Sequence, residues 1–284
     1  MINNIEKLVD KIKKEIKKNI DIAVIGMSGG ADSTLCAILC REALGKDKVF
    51  GVHMPYGDID IKNFNAKSQM LAEYLEIKSI NSPIHNIVDL LNDTIEESTW
   101  CSLITNKPLT IVNKGNSRSR SRMCILYGIS HHLGTTLEKR VRVIGTGNLS
   151  EDFIGYCTKG GDVLGDFFPI ADLFKSEVYQ LLDYFKSWGI INEEHITRIP
   201  SAGLWKGQTD EEELGYSYDE MELAIRLIKT FNTYTIKDFD LLLDIFFTNG
   251  NTNREVVKFV YNMYMNNKHK HKISPYIKLR KFCN

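Results

Sequence analysis

Between a short apolar run, Asp21–Met27 (DIAVIGM), and a stretch with helical spacing, Ser33–Leu44, lies Gly26-Met27-Ser28-Gly29-Gly30-Ala31-Asp32-Ser33. Two consecutive glycines allow a tight turn that points several backbone N–H groups into one concavity. Ser28 and Ser33 add hydroxyl donors, and the helix that follows adds the positive end of its dipole. Such a loop is a cradle for phosphate or pyrophosphate. No Gly-Lys-Ser/Thr closes it and its glycines are not spaced Gly-x-Gly-x-x-Gly, so neither common phosphate motif applies. Asp32 places a carboxylate inside an anion cradle, which is unfavourable unless a cation such as Mg²⁺ bridges it to the phosphates. The same residue types would also serve a plain helix-capping turn, with Asp32 and Ser33 satisfying backbone donors.

The elements that must hold this loop follow from the alternation of patterns. Strand-like runs at Asp21–Met27, Lys48–Met54, Ile77–Ile80 and Val141–Thr146 are separated by helical patterns at Ser33–Leu44, Asn65–Leu75 and about Arg120 to Leu133. Strands alternating with helices predict βαβ units, hence a Rossmann-like, doubly wound α/β fold with a mostly parallel sheet flanked by helices. Ligands of such sheets sit at the carboxyl ends of the strands, where strand order reverses. The loops after Met27, Met54 and Thr146 are therefore the ones expected to carry chemistry. From about Phe167 the chain reads as mainly helical, with a polar, Gly-containing stretch at Ser201–Ser217. Ile5, Leu8, Val9, Ile12 and Ile16 keep the spacing of an amphipathic surface helix.

The chain has 284 residues, 43% hydrophobic and 25% charged, which is globular composition. Thirty-six basic residues balance thirty-six acidic ones, which counts against a dedicated nucleic-acid binder. The six cysteines form no Cys-x-x-Cys pair, so zinc-ribbon and thioredoxin readings find no support. Cys36 and Cys40 read as small core-facing side chains, and scattered thiols suit a reducing compartment. The first twenty residues lack an apolar signal-peptide core, and no segment approaches ~18 apolar residues. The expectation is a cytoplasmic protein with no membrane partner.

Ser-Gly-Gly-x-Asp-Ser at Ser28–Ser33 resembles the pyrophosphate loop of the adenine-nucleotide α-hydrolase superfamily, which implies cleavage of ATP between its α and β phosphates. Further segments narrow the resemblance. They are Lys114-Gly115-Asn116, Arg120-Ser121-Arg122-Met123, Gly145-Thr146-Gly147-Asn148-Leu149-Ser150-Glu151, Ile199 to Glu211, and Glu213-Leu214-Gly215-Tyr216-Ser217-Tyr218. In this order and spacing, from about Asp21 to Glu222, they resemble the ammonia-dependent NAD synthetases.

That resemblance implies roles residue by residue. Gly26 to Ser33, Thr146, Lys175 and Ser201 would contact ATP, with Lys175 neutralising the departing pyrophosphate. Asp32 and Glu151, from the ends of different strands, would share one Mg²⁺. Asp32, Glu151 and Lys175 together would form the catalytic group. Arg120, Lys159 and Asp166 would hold deamido-NAD. Within Lys268-His269-Lys270-His271-Lys272, the pair His271-Lys272 is favoured to cover the same substrate, although His269-Lys270 fits almost equally. Read without the resemblance, Thr146 and Ser201 are a strand-end threonine and a turn serine. Asp32 and Glu151 are then two surface acids, and the Arg/Ser alternation at Arg118–Arg122 is a solvated helix start.

Two departures from the family pattern stand out. His53-Met54-Pro55-Tyr56-Gly57 replaces an arginine-led segment near the adenine, and Gly160-Gly161-Asp162-Val163 replaces Tyr-Gly-Asp-Gly after Lys159. The implied reaction converts deamido-NAD to NAD with ATP and ammonia, through an adenylated intermediate, releasing AMP and pyrophosphate. Because the phosphate loop opens at Gly26, the chain is expected to be one domain, mainly helical from about residue 220, without a glutaminase domain. A homodimer is also implied. The stretches Ile84–Asn113 and Ser201–Ser217 are expected to be loops that close over the adenylate. The rival classes are a tRNA-modifying ligase, a GMP-synthetase-like subunit and a non-catalytic nucleotide binder.

Overall fold

The computed structural model describes residues 2–57, 66–101, 104–193, 209–230 and 254–270. Four strands form one parallel sheet: β1 (Ile22–Gly26), β2 (Val49–His53), β3 (Lys78–Asn81) and β4 (Val141–Ile144), in the order β3-β2-β1-β4. Ala23 pairs with Val49 on one side and with Arg142 on the other. The chain runs outward from β1 through β2 to β3, then returns to place β4 on the opposite side of β1. Strand order therefore reverses between β1 and β4, and the crevice opens beyond their carboxyl ends.

Period-two alternation divides the sheet's two faces. Ala23 and Ile25 of β1 face a core with Leu8 and Ile12 of α1 (Ile5–Asn19), Leu35 and Ile38 of α2 (Ala31–Leu44), Leu71 of α3 (Ala66–Tyr74), and Val178 and Leu181 of α7 (Lys175–Ser187). Ile22 and Val24 face the other core, with Val88 of α4 (His85–Cys101) and Met123 and Leu126 of α5 (Ile111–Leu137). Each such aliphatic side chain withdrawn from water contributes about 1.5–3 kcal/mol, which is why a sheet buried on both faces reads as continuous apolar runs. Cys36 and Cys40 lie in the first of these cores, as their spacing predicts. A third cluster joins α6 (Leu149–Ile154), α9 (Tyr218–Thr230) and α10 (Arg254–Asn267), and the five-residue α8 (Asp210–Leu214) caps it through Leu214.

Two expectations change. The stretch 84–113 is not one loop, because α4 occupies most of it and α5 already starts at Ile111. The start of α5 is set by a capping box between Thr110 and Asn113. Its apolar spacing is weak because its buried positions begin with Gly115, Ser117 and Ser121. Small residues let this helix lie close to its neighbours, and they hide its first turns from a periodicity reading that starts the helix only at about Arg120. Within Ser201–Ser217, residues 201–208 lie outside the described residues, while 210–214 form α8. Among the described residues no helix is long and apolar enough to cross a membrane.

Candidate active site

The loop after β1 enters α2 through Gly30, an N-cap that offers no side-chain hydrogen bond to the first-turn N–H groups. A capping turn would have used Asp32 or Ser33 for that purpose. Instead the Ser33 hydroxyl donates to the Gly30 carbonyl at 3.1 Å, and the Ser28 hydroxyl accepts from the Gly30 N–H at 3.2 Å. The two serine oxygens lie 3.0 Å apart. Gly29 holds φ at +74°, the left-handed conformation that the turn requires. A helix N-terminus left without a side-chain cap, beside two hydroxyls, is arranged to receive an anion.

Asp32 turns away from the cap toward the end of β4. There Asn148, the N-cap of α6, uses its amide twice. Its Nδ2 donates to Asp32 Oδ1 at 3.0 Å, and its Oδ1 accepts from the Glu151 N–H at 3.1 Å. Lys175, the first residue of α7 and only 4% exposed, closes the group. Its Nζ donates to Asp32 Oδ2 at 2.5 Å and to Glu151 Oε1 at 2.9 Å. Burial opposes the lysine charge, but the Asp32 and Glu151 carboxylates outweigh it and hold Lys175 above the usual lysine range. Three residues spread over 143 positions of sequence thus meet at one ammonium.

Tyr218 extends the group. Its hydroxyl lies 3.1 Å from Glu151 Oε1 and 2.9 Å from Asp210 Oδ2, with the Lys175 ammonium 5.5 Å from its ring centre. Tyr156 adds a second phenol, 2.6 Å from Glu213 Oε2 and 3.3 Å from Asp210 Oδ1. Burial first, then the nearby carboxylates, raise both phenols well above the usual tyrosine value, so they act as donors. The motif containing Asp210, Glu213 and Tyr218 was legible in the sequence as a pattern. Its contact with Glu151 was not, because 67 residues separate Tyr218 from that partner.

A cavity of about 560 Å³ occupies the crevice, lined by Ser28, Asp32, Thr146, Glu151 and Lys175 and also by Asn116, Arg122, Asp162 and Lys270. Gly26, Met27, Gly30, Ala31 and Ser33 also line it. Arg120 and Lys159, both exposed, lie together but are not among the residues that line the cavity; Arg120 Nε donates to the Lys159 carbonyl at 3.1 Å. Asp166 sits apart at the sheet edge, its Oδ2 accepting from the Val143 N–H at 2.8 Å. Arg122 is a wall cation that the sequence had not singled out for the substrate, whereas Lys270 belongs to the His269-Lys270 pair, the alternative to His271-Lys272. Arg122 Nε donates to the Met54 carbonyl at 3.2 Å. Lys270 Nζ donates to the carbonyls of Gly155 and Cys157 at 2.9 and 3.0 Å, neutralising the carbonyl end of α6. Ser201, His271 and Lys272 lie outside the described residues.

Two glycines are needed for close approach. A Cβ on Gly145, at the end of β4, would come within 2.1 Å of the Phe168 ring. Gly155 ends α6 with φ at +67°, and a Cβ there would meet Asn267 at 2.3 Å. His53, at the end of β2 where the family pattern has arginine, is fully buried. Its Nδ1 lies 2.7 Å from the Ser68 hydroxyl, and burial lowers its pKa to about 4.

Comparison with known proteins fits this geometry. The family model described as NAD synthase matches residues 4–274. The NH(3)-dependent NAD(+) synthetase of Methanocaldococcus jannaschii is 35% identical over 281 residues, 96% of this chain and 96% of that protein. Among solved structures, an NMN synthetase from Francisella tularensis shares the fold at a TM-score of 0.71 and 24% identity, over 96% of this chain and 98% of that one. The NH3-dependent NAD synthetase from Campylobacter jejuni aligns at a TM-score of 0.64 and 25% identity, over 96% of each chain. By sequence along nearly its whole described length, and by the fold that frames the crevice, this chain belongs to the NAD synthase family.

Proposed function

We propose that the chain catalyses ATP-dependent amidation of deamido-NAD to NAD with ammonia as the nitrogen source. The observation that carries this reading is the convergence of Asp32, Glu151 and Lys175 at the mouth of the Gly26–Ser33 loop. The curated relatives are named for this reaction and for this nitrogen source.

In the first half-reaction an oxygen of the nicotinate carboxylate attacks the α-phosphorus of ATP, and the bond to the β-phosphate oxygen breaks. The Gly26–Ser33 loop and Thr146 orient the triphosphate, and the Lys175 ammonium stabilises charge on departing pyrophosphate. In the second half-reaction ammonia attacks the acyl carbon, the bond to AMP breaks, and the nitrogen loses its proton. No side chain needs to form a covalent bond. Arg120 and Lys159 supply positive charge to the dinucleotide's own pyrophosphate, and Asp166 and the tail at His271-Lys272 complete its site.

Asp32 and Glu151 suit Mg²⁺, which takes one or two carboxylates from a protein and fills its remaining positions with water and phosphate oxygens. Bound there, the ion would neutralise charge on the triphosphate. The Lys175 ammonium that now bridges the two acids would then turn toward the phosphates.

The reading includes a single catalytic unit working as a homodimer in the cytoplasm, without nucleic-acid or membrane partners. Ile87, Leu90 and Trp100 of α4, with Ile104, Ile111 and Val112 beyond it, are exposed apolar side chains suited to a second copy of the chain. A monomer in sedimentation at micromolar concentration would remove that claim.

The test is one assay with ATP, Mg²⁺, deamido-NAD and ammonium, reading NAD and AMP together, with Asp32→Ala as control. Equal yields of NAD and AMP, lost in the control, are expected. AMP formed without NAD would overturn the substrate while leaving ATP cleavage intact.

A further inference from the structure

Glu222 lies on α9, a helix that lines none of the crevice, yet it is 4% exposed and its carboxylate accepts three hydrogen bonds. Oε1 accepts from the Ser150 hydroxyl at 2.8 Å and from the Ser176 N–H at 3.0 Å. Oε2 accepts from the Ser176 hydroxyl at 2.5 Å. The Ser150 hydroxyl in turn accepts from the Lys175 N–H at 3.0 Å. Ser150 precedes Glu151 and Ser176 follows Lys175, so one buried carboxylate pins the first turns of α6 and α7 together. Negative charge is favoured at both helix N-termini, and hydrogen bonds to a charged acceptor are the stronger kind.

The same helix makes two more ties. Tyr218, at its start, reaches Glu151 Oε1. One turn beyond Glu222, Arg226 lies 3.6 Å from Glu177 Oε1 and stacks over Phe174 at 4.0 Å. Glu177 Oε2 accepts from the Phe174 N–H at 2.8 Å, which fixes the residue before Lys175. Contacts at 218, 222 and 226 recur every four residues and fall on one face of α9. That face meets the backbone that carries Lys175 and Glu151, and among the described residues no hydrogen bond or ion pair joins Tyr218, Glu222 or Arg226 to Arg120 or Lys159.

We propose that Glu222 is a positioning residue for the ATP half of the reaction. It fixes the distance between Lys175 and Glu151 from outside the cavity, with Tyr218 and Arg226 as supporting ties. This rests on the reading that Lys175 and Glu151 serve ATP, and it predicts that damage at Glu222 is felt by ATP and not by deamido-NAD. An amide at this position would present N–H groups to donors, so one anchor of α6 or α7 must let go.

The experiment compares Glu222→Gln, Glu222→Asp and Lys175→Ala in the full chain. Steady-state kinetics with each substrate are paired with calorimetric binding of α,β-methylene-ATP and thermal melting. For Glu222→Gln, kcat falls about 30-fold and analogue affinity about tenfold, while KM for deamido-NAD stays within about twofold. Glu222→Asp, which keeps the charge, recovers at least about a third of the lost analogue affinity. If Glu222→Gln keeps its kcat, or raises both Michaelis constants alike together with a lowered Tm, the positioning role is overturned. If Glu222→Gln does not fold, Ser176→Ala and Ser150→Ala, which each remove one anchor, are judged by the same substrate split. Full activity in Lys175→Ala would instead bring down the underlying reading of the site.

Discussion

The two ends of the crevice are built differently. At the proposed ATP end, Asp32, Glu151 and Lys175 are each held by a partner on another element. Asp32 is bound by Asn148 and Lys175, Glu151 by Lys175 and Tyr218, and the backbone of Lys175 by Ser150. At the proposed dinucleotide end Arg120 and Lys159 are exposed, and the Arg120 guanidinium donates to the main-chain carbonyl of Lys159. At the first end the pairing of Lys175 with Asp32 and Glu151 offsets part of the cost of withdrawing their charges from water. The second end leaves long side chains to be ordered by the substrate, which costs affinity but allows adjustment to a large ligand.

The sharpest way to break this contrast is at Lys175. Lys175→Ala should lower kcat/KM by on the order of a thousandfold, because it removes charge stabilisation at the departing phosphate. It also leaves Asp32 and Glu151 facing each other without their ammonium, so the protein should melt earlier than wild type. Unchanged turnover in the coupled NAD and AMP assay would show that the built end is not where the chemistry lies.

A smaller effect is expected at the glycine that lets β4 end against Phe168. Gly145→Ala should cost about 3 kcal/mol in urea unfolding, because the buried ring would have to move to admit the methyl group. A loss below ~1 kcal/mol would mean that this end of the crevice is looser than its contacts imply.

His53, buried against the Ser68 hydroxyl, adds a test through pH. Burial lowers its pKa to about 4 from an ordinary 6.5, so the folded state takes up its proton less readily than the unfolded state. Its contribution is complete above the unfolded value and is lost as pH falls toward the folded one. Stability should therefore drop by about 2 kcal/mol between pH 6.5 and pH 5, and His53→Gln, which does not titrate, should flatten that slope. A slope equal in both proteins would assign the acid sensitivity to other groups.

The smallest change is expected at the open end. Arg120→Ala should raise KM for deamido-NAD about tenfold and leave kcat and Tm almost untouched, with the penalty shrinking as salt is added. A fall in kcat instead would move Arg120 into the built half and blur the distinction.

Much of the fold was legible because its signals are local. The four strands and α1, α2 and α3 stand within a few residues of where their apolar spacing puts them. The loop at Gly26–Ser33 could be read as an anion cradle from its glycines, serines and position before a helix. Two helices were harder to see. The α4 helix exposes Ile87, Leu90 and Trp100, and the first turns of α5 pack through glycine and serine, so α4 and the start of α5 lack the stripe that periodicity detects. Residue roles were expected by resemblance. The joining of Asp32 to Glu151 was foreseen in the form of a shared metal, whereas Lys175 lying between them was not.

What the sequence determined by itself is the inventory: a βαβ framework, a phosphate-type loop, and acids and cations at the strand ends that such a sheet uses. Those follow from backbone propensity, side-chain period and glycine conformation, which act over a few residues. Tertiary structure alone decided the pairings. Asn148 reaching Asp32, Glu222 reaching Ser150 and Tyr218 reaching Glu151 join residues 116, 72 and 67 positions apart. Such contacts are selected by the mutual packing of α6, α7 and α9 around a shared charge, and no local pattern encodes that energy.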